Sequence, residues 1–219
     1  MTETPASAVT FDCVTLRAVA VQQANPAWFV SLPAPLVQRA RASALGSRML
    51  AWVLAEGIAP ALFAEPTWKM PANADWLFWP KSALDEVALD LAALALSASI
   101  RATVKRDAVL RLKRVLSEPR YALALNEPTA SLDARGFSKA LAADESLAQY
   151  LSAQGYAELI GYAATLHPAC AERIRLSLPP GEIPVRSRRL DSALVTAHFE
   201  QLRAANEAAK AAQEQVANG

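Results

Sequence analysis

The chain has 219 residues with 22 Lys+Arg against 21 Asp+Glu, a formal net charge of +1, and is 53% hydrophobic and 20% charged. This composition belongs to a globular chain with enough length to bury a core, and excludes disorder, collagen-like repetition and solenoid periodicity. Near-neutral charge argues against a general nucleic-acid binder, and two cysteines, Cys13 and Cys170, exclude a disulfide scaffold and fit a reducing cytosol.

From the N-terminus, Met1 to Ala8 has neither the basic cluster nor the apolar run of a leader. The longest charge-free stretch, between Arg17 and Arg39, is broken by Gln22, Gln23, Asn25, Pro26, Pro33 and Pro35, so no membrane span is expected. Val9 to Leu16 is the best strand candidate, with Arg173 to Leu178 behind it. Pro33 and Pro35 suit a first helical turn, and Leu36 to Leu54 reads as one helix ended by Gly57. Prolines are concentrated in residues 5–80 and absent from Lys81 to Glu118, and all 5 tryptophans (Trp28, Trp52, Trp68, Trp76, Trp79) precede Pro80. A boundary at Pro80 is one reading. A single domain whose tryptophans cap a helical core is preferred, because no Gly/Ser linker follows.

Ser82-Ala83-Leu84-Asp85 resembles a capping box and opens a helix that is nearly apolar all round. Leu84, Val87, Ala88, Leu91, Leu94 and Ala95 share one face, and Leu89, Leu96 and Ile100 another. Only Glu86, Asp90 and Ser97 form a polar strip, so this helix is expected to be central. A basic helix, Arg101 to Leu116, follows, with Val104, Ala108, Leu112 and Val115 inward. Pro119 starts a short segment through Tyr121, Leu123 and Leu125, closed by Asn126-Glu127-Pro128. Phe137 to Tyr150 and Tyr156 to Leu166 read as helices separated near Gly155. Pro168 to Leu178 is a short helix or extended element, and Pro179-Pro180-Gly181 with Pro184 makes a loop. Leu190 starts a terminal helix with Leu190, Leu194, His198 and Leu202 inward. Beyond about Ala204 only alanines continue that face, so the distal part should project and fray. The fold class is therefore mainly α: a compact multi-helix domain with a Trp/Pro-rich N-terminal part and a C-terminal helical tail.

Chemistry-bearing motifs are scarce. The chain contains no GxGxxG, Walker loop, HExxH or GxSxG, and its 7 glycines never cluster. His167 and Cys170 make two soft ligands where a structural zinc site uses four, and a Cys–His nucleophile pair lacks an orienting third group. His198 reads as a hydrogen-bonded packing residue, and the adjacent acids Asp144-Glu145 splay apart on a helix. No catalytic, cofactor or metal residue is assigned. Charge is most concentrated in Arg101, Lys105, Arg106, Arg111, Lys113, Arg114 and Arg120, opposed by Asp107 and Glu118. This is either a solvated face or a docking surface for an acidic partner, while nucleic acid and anionic lipid are disfavoured by the absence of interleaved aromatics. Arg106, Lys113 and Arg114 are the candidate partner-binding residues. Trp68, Trp76 and Trp79 with Phe78 are expected as core anchors.

Three stretches, taken together, resemble one family. They are Asn25-Pro26-Ala27-Trp28 with the helix after it, Ile100 to Leu125 ending in Tyr121-Ala122-Leu123-Ala124-Leu125, and Arg173-Ile174-Arg175-Leu176-Ser177-Leu178-Pro179-Pro180. In this order they resemble the accessory adaptor of the type III secretion sorting platform, the SctK or YscK-like family, over about residues 25 to 180. The resemblance implies a cytoplasmic, non-enzymatic, cofactor-free protein of a virulence-associated transport machine. Such a protein bridges the pod (C-ring) protein and the cytosolic domain of the inner-membrane ring protein, without nucleic acid or membrane insertion. It divides the chain into an extension (1–24), a helical adaptor domain (25–184) and a C-terminal helix (185–219). No family residue transfers by position. A small helical enzyme or ligand binder with a pocket in the Trp-rich N-terminal part is the alternative.

Overall fold

The computed structural model describes residues 12–64, 69–71, 73–126, 134–142, 144–183 and 190–217. The expectations that fall on Val9 to Phe11, Trp68, Glu127-Pro128 and Pro184 lie outside these residues. Every regular element among the described residues is helical: α1 Cys13–Gln23, α2 Ala34–Arg41, α3 Ala44–Ala55, α4 Pro60–Phe63, α5 Lys81–Ala95, α6 Ser97–Arg101, α7 Arg106–Leu116, α8 Glu118–Asn126, α9 Ala134–Leu141, α10 Asp144–Leu166, α11 Pro168–Leu176 and α12 Ser192–Ala217. Three 3₁₀ turns, Pro26–Trp28, Asp75–Phe78 and Pro180–Glu182, join them.

Among the described residues neither strand candidate forms. Asp12 accepts a 2.7 Å bond from the Thr15 amide and starts α1, while Arg173 to Leu176 lies within α11. In α1 the buried Cys13 and Leu16 stand three apart while Val14 is exposed, a helical and not an alternating spacing, and the Asp12 cap fixes the helix start. Leu36 to Leu54 is two helices. Ser43 leaves α2 in extended conformation and caps α3 through the Gly46 amide at 3.1 Å. Gly46 permits the tight α2–α3 turn, since a Cβ there would stand 2.4 Å from the Ala40 carbonyl oxygen. Gly57, at φ +146°, follows α3 as a glycine past a helix end should. The capping box is also corrected. Pro80 is the N-cap of α5, with no side-chain cap bond, and Ser82 lies inside the helix. Asp85 instead binds Lys81 at 2.7 Å and the Tyr156 hydroxyl at 2.7 Å.

Two helices organise the interior. The first face of α5 (Leu84, Val87, Ala88, Leu91, Leu94, Ala95) joins the larger core with α1 to α4, the second half of α10, α11 and the start of α12. Leu96 and Ile100, with Ala92 and Ala93, face a smaller core made by α7, α8, α9 and the first half of α10. The helix expected to carry Leu96, Ser97 and Ile100 instead ends at Ala95: Leu96 is its C-cap, and Ile100 and Ser97, the latter expected in the polar strip but buried, belong to α6. Within α5 the second cluster is met by Leu89, Ala92 and Ala93, so the helix has apolar neighbours on two sides and carries little polar surface. Helix α10 divides in the same way. Leu147, Tyr150 and Leu151 enter the smaller core, while Tyr156, Leu159, Ile160 and Ala163 enter the larger.

Gly155 sits at that changeover. The sequence suggests a break there, yet α10 runs through it unbroken. A Cβ on Gly155 would stand 1.7 Å from the Ala88 carbonyl oxygen, so glycine is the condition for α5 and α10 to cross in contact. The missing side chain serves packing, at a local helix-propensity cost of about 1 kcal/mol.

Of the expected aromatic anchors Trp76 is buried, Trp79 and Phe78 pack partly buried against the larger core, and Trp52 departs from the expected tryptophan cap at 62% exposed. Trp76 is fully buried and stacks on Phe199 at 4.7 Å, Trp79 meets Phe199 edge-on, and Tyr162 completes the cluster. Trp28 donates its indole N–H to the Leu178 carbonyl at 2.9 Å, tying the first 3₁₀ turn to the end of α11. Residues 13–24, outside the span of the family resemblance, give Leu16, Ala20, Val21 and Ala24 to the larger core. The inward face of α12 is Val195, His198 and Phe199 after Leu190, with Leu194 and Leu202 only partly buried. It is placed by buried Glu158, whose Oε2 accepts the Leu190 amide at 2.9 Å. From Ala204 to Ala208 the side chains are exposed. Among the described residues no helix is long and apolar enough to cross a membrane.

Candidate functional site: the basic face of helix seven

Helix α7 is shorter than expected. Arg101 closes α6, and α7 begins at Arg106 after an extended link. Val104, expected inside, is 87% exposed because it precedes the helix. The buried stripe is Leu112 and Leu116, with Val109 and Val115 packed partly against the smaller core. A helix anchored on residues 109, 112, 115 and 116 must turn 106, 110 and 114 outward.

The basic residues therefore divide into two groups. Arg111 donates to the Leu141 carbonyl at 3.1 Å and ties α7 to the end of α9. Lys113 binds Glu118 at 2.8 Å and lies 5.1 Å from the Tyr121 ring centre. The Glu118 hydrogen bond is what raises its pKa above the ordinary lysine value. Arg120 binds Asp90 at 2.6 Å and also pairs with Glu86. Asp90 in turn holds His198 Nε2 at 3.2 Å, so one carboxylate links α5, α8 and α12. This bears out His198 as a packing residue with a hydrogen-bond partner. Arg101, Lys105, Arg106 and Arg114 remain exposed, with no ionic or hydrogen-bond partner among the described residues.

Of the three candidate binding residues, Arg106 and Arg114 thus stand free, and Lys113 is engaged within the α7–α8 hairpin. Between the two arginines Leu110 is 50% exposed. Arg106, Leu110 and Arg114 follow at i, i+4 and i+8, giving a cation–apolar–cation stripe on one helix face. Sequence reasoning missed Leu110, although its spacing from Arg106 and Arg114 was the available signal. Ser117, at φ +70°, makes the sharp turn that folds α8 back and lets Glu118 reach Lys113. The hairpin presents the stripe from a rigid support.

The remaining candidates for chemistry are placed plainly. His167 caps α11, its Nδ1 accepting the Ala169 amide at 3.2 Å. Cys170 is buried, and burial, with a smaller contribution from Cys13, pushes its thiol up to about 12. Among the described residues no group of three or more His, Cys, Asp and Glu is placed to hold a metal ion. A groove of about 390 Å³ lies in the N-terminal part between α1 and α3, lined by Arg17, Val21, Arg48, Ala51 and Phe63 rather than by tryptophans. A cavity of about 620 Å³ lies between α10 and the Leu178 to Ile183 segment, with Gln149, Ser152, Tyr156 and Glu182 as its polar lining.

Comparison with protein-family models, with curated proteins and with solved structures gives no match.

Proposed function

We propose that this chain is a cytoplasmic adaptor of a bacterial type III secretion sorting platform. It joins the pod protein to the cytosolic domain of the inner-membrane ring protein, and it works by binding rather than catalysis. The observation that carries this reading is the Arg106–Leu110–Arg114 stripe, whose two arginines have no partner among the described residues, on a hairpin whose Arg111, Lys113 and Arg120 are engaged with α9, α8 and α5. Complementary charge steers association and fixes orientation, and an exposed leucine between two guanidinium groups adds an apolar anchor. The three sequence stretches that resemble the SctK or YscK-like family support the choice of machine. Their structural roles are compatible with it: Trp28 and Leu178 pin one end of the body together, and the Ile100 to Leu125 stretch carries the exposed stripe.

The alternative places a ligand pocket in the Trp-rich N-terminal part, where the groove has no tryptophan lining; the cavity beside α10, lined by Tyr156, Ser152 and Gln149, is a different place for it. The Tyr156 hydroxyl already donates to Asp85, which leaves that side chain less to offer a ligand. Affinity isolation of the full chain from its native cells tests the proposal. The ring and pod proteins are expected to co-purify, and recovery of a small molecule without either protein would favour the alternative.

A further inference from the structure

We propose that the α1–α3 groove, with the exposed ridge of α3 beside it, is a second docking surface that accepts an acidic amphipathic helix of a partner protein. The proposal does not depend on the secretion assignment.

On α3, Leu45 (63% exposed), Met49 (63%) and Trp52 (62%) recur at i, i+4 and i+7. This is the spacing of a buried helix face, here carried by three large side chains on the outside. The same helix buries Leu50 and Leu54 on its other side, so the exposed ridge is not needed for the core. Arg48, three residues after Leu45 and four before Trp52, stands at the border between the ridge and the groove. Across the groove Ala18, Val21 and Phe63 supply apolar walls, and Val14, one turn before Ala18, extends them outward at 64% exposure. A helix seated here would thread apolar residues between α1 and α3 against the ridge, the groove-docking mode of amphipathic helices.

Charge selects the occupant. Residues 12–59 carry Arg17, Arg39, Arg41 and Arg48 against Asp12 and Glu56 only. Asp12 is occupied as the cap of α1. None of the four arginines is ion-paired among the described residues. Arg17 donates to the carbonyls of Leu62 and Ala64, and Arg41 to those of Val21 and Ala24, bonds that fix the guanidinium groups without cancelling their charge. Arg39 and Arg48 are exposed and have no partner among the described residues. Among the described residues the groove wall holds two arginines and no carboxylate. A second copy of this chain would set like charges face to face in a two-fold interface, which disfavours self-association here. This surface borders the larger core, whereas the α7 stripe rests on the smaller one, so the two belong to different parts of the body.

The test is selection of a displayed library of helical segments about 20 residues long, cut from the source proteome. Selection is run on the full chain and counter-selected on Arg48→Glu and on the double variant Met49→Glu/Trp52→Glu. All three positions are exposed, so circular dichroism and thermal unfolding should match the parent. Segments retained by the parent and lost on both variants are expected to be net acidic, with apolar residues at i, i+3/i+4 and i+7. Their affinity is expected to drop at least about tenfold on Arg48→Glu. Basic or neutral segments among the face-dependent binders, or no face-dependent binder at all, would overturn the proposal. So would parent dimerisation abolished by the double variant, or binding to phosphatidylglycerol vesicles that the same variant removes.

Discussion

At the scale of single residues, the least expected side chain is Arg173. It is fully buried; one guanidinium nitrogen reaches Gln23 and the Trp79 carbonyl, while Nε and Nη1 find no partner among the described residues. Burial lowers its pKa to about 10, so it remains charged at neutral pH at a desolvation cost. A buried charge without a carboxylate is poor support for stability. Arg173→Met, which keeps the volume and removes the charge, is expected to unfold in urea within about 1 kcal/mol of the parent or later. A loss beyond about 3 kcal/mol would mean that the guanidinium is held more favourably than its contacts indicate. Cys170 makes the opposite case. Its raised pKa means that the folded chain keeps a proton which an unfolded thiol releases near about pH 8.5. The stability this contributes is fully present below that pH and is lost as pH rises toward 12. Cys170→Ala should therefore flatten the decline of unfolding free energy between about pH 9 and 11. Equal slopes in the two proteins would show that the thiol does not titrate with folding.

At the scale of elements, the fold depends on how α5 and α10 cross. The Gly155 contact with the Ala88 carbonyl has no room to relax, because the obstructing atoms are backbone. Gly155→Ala must push two central helices apart and loosen both cores at once. The expected loss is about 1–3 kcal/mol, despite the better helix propensity of alanine. A gain in denaturant unfolding would contradict the close crossing. This position also marks the limit of sequence reading. The first apolar face of α5 was legible, because burial leaves a pattern in the residues themselves, whereas the pattern puts the second largely on Leu96 and Ile100, which lie past the end of α5 at a break that no glycine or proline marks. The small residue at 155 was legible only as a breaker, because its purpose is set by a backbone some 70 residues away in sequence. Ser43 is a comparable case: it sits inside an apolar periodic run, and only its bond to the Gly46 amide reveals that the run is two helices. Of the aromatic cluster, Trp76 is expected as core, but its partners Tyr162 and Phe199 are not, because the sequence runs the inward face of the terminal helix through Leu194 and Leu202 rather than Val195 and Phe199.

At the scale of the whole molecule, two apolar clusters share two long helices, and each carries an exposed surface that the fold does not use. On the smaller core the basic segment separated into cations that tie α7 and α8 to each other and to α5 and α9, and cations that face outward. The sequence placed Arg106 and Arg114 correctly in the outward group. It did not anticipate the pairing of Lys113, because Glu118 reaches it only through the turn at Ser117. The central claim is that the outward group binds an acidic protein partner. Titration of the purified chain against the purified pod protein and ring-protein cytosolic domain, at low and at physiological salt, tests it most directly. Arg106→Glu/Arg114→Glu should fold as the parent does, since both side chains are exposed. It should weaken association with one of the two partners at least about tenfold at low salt, with a smaller effect as salt screens the charges. Parent-like affinity of this variant for both partners at low salt, or no binding of the parent to either, would contradict the account.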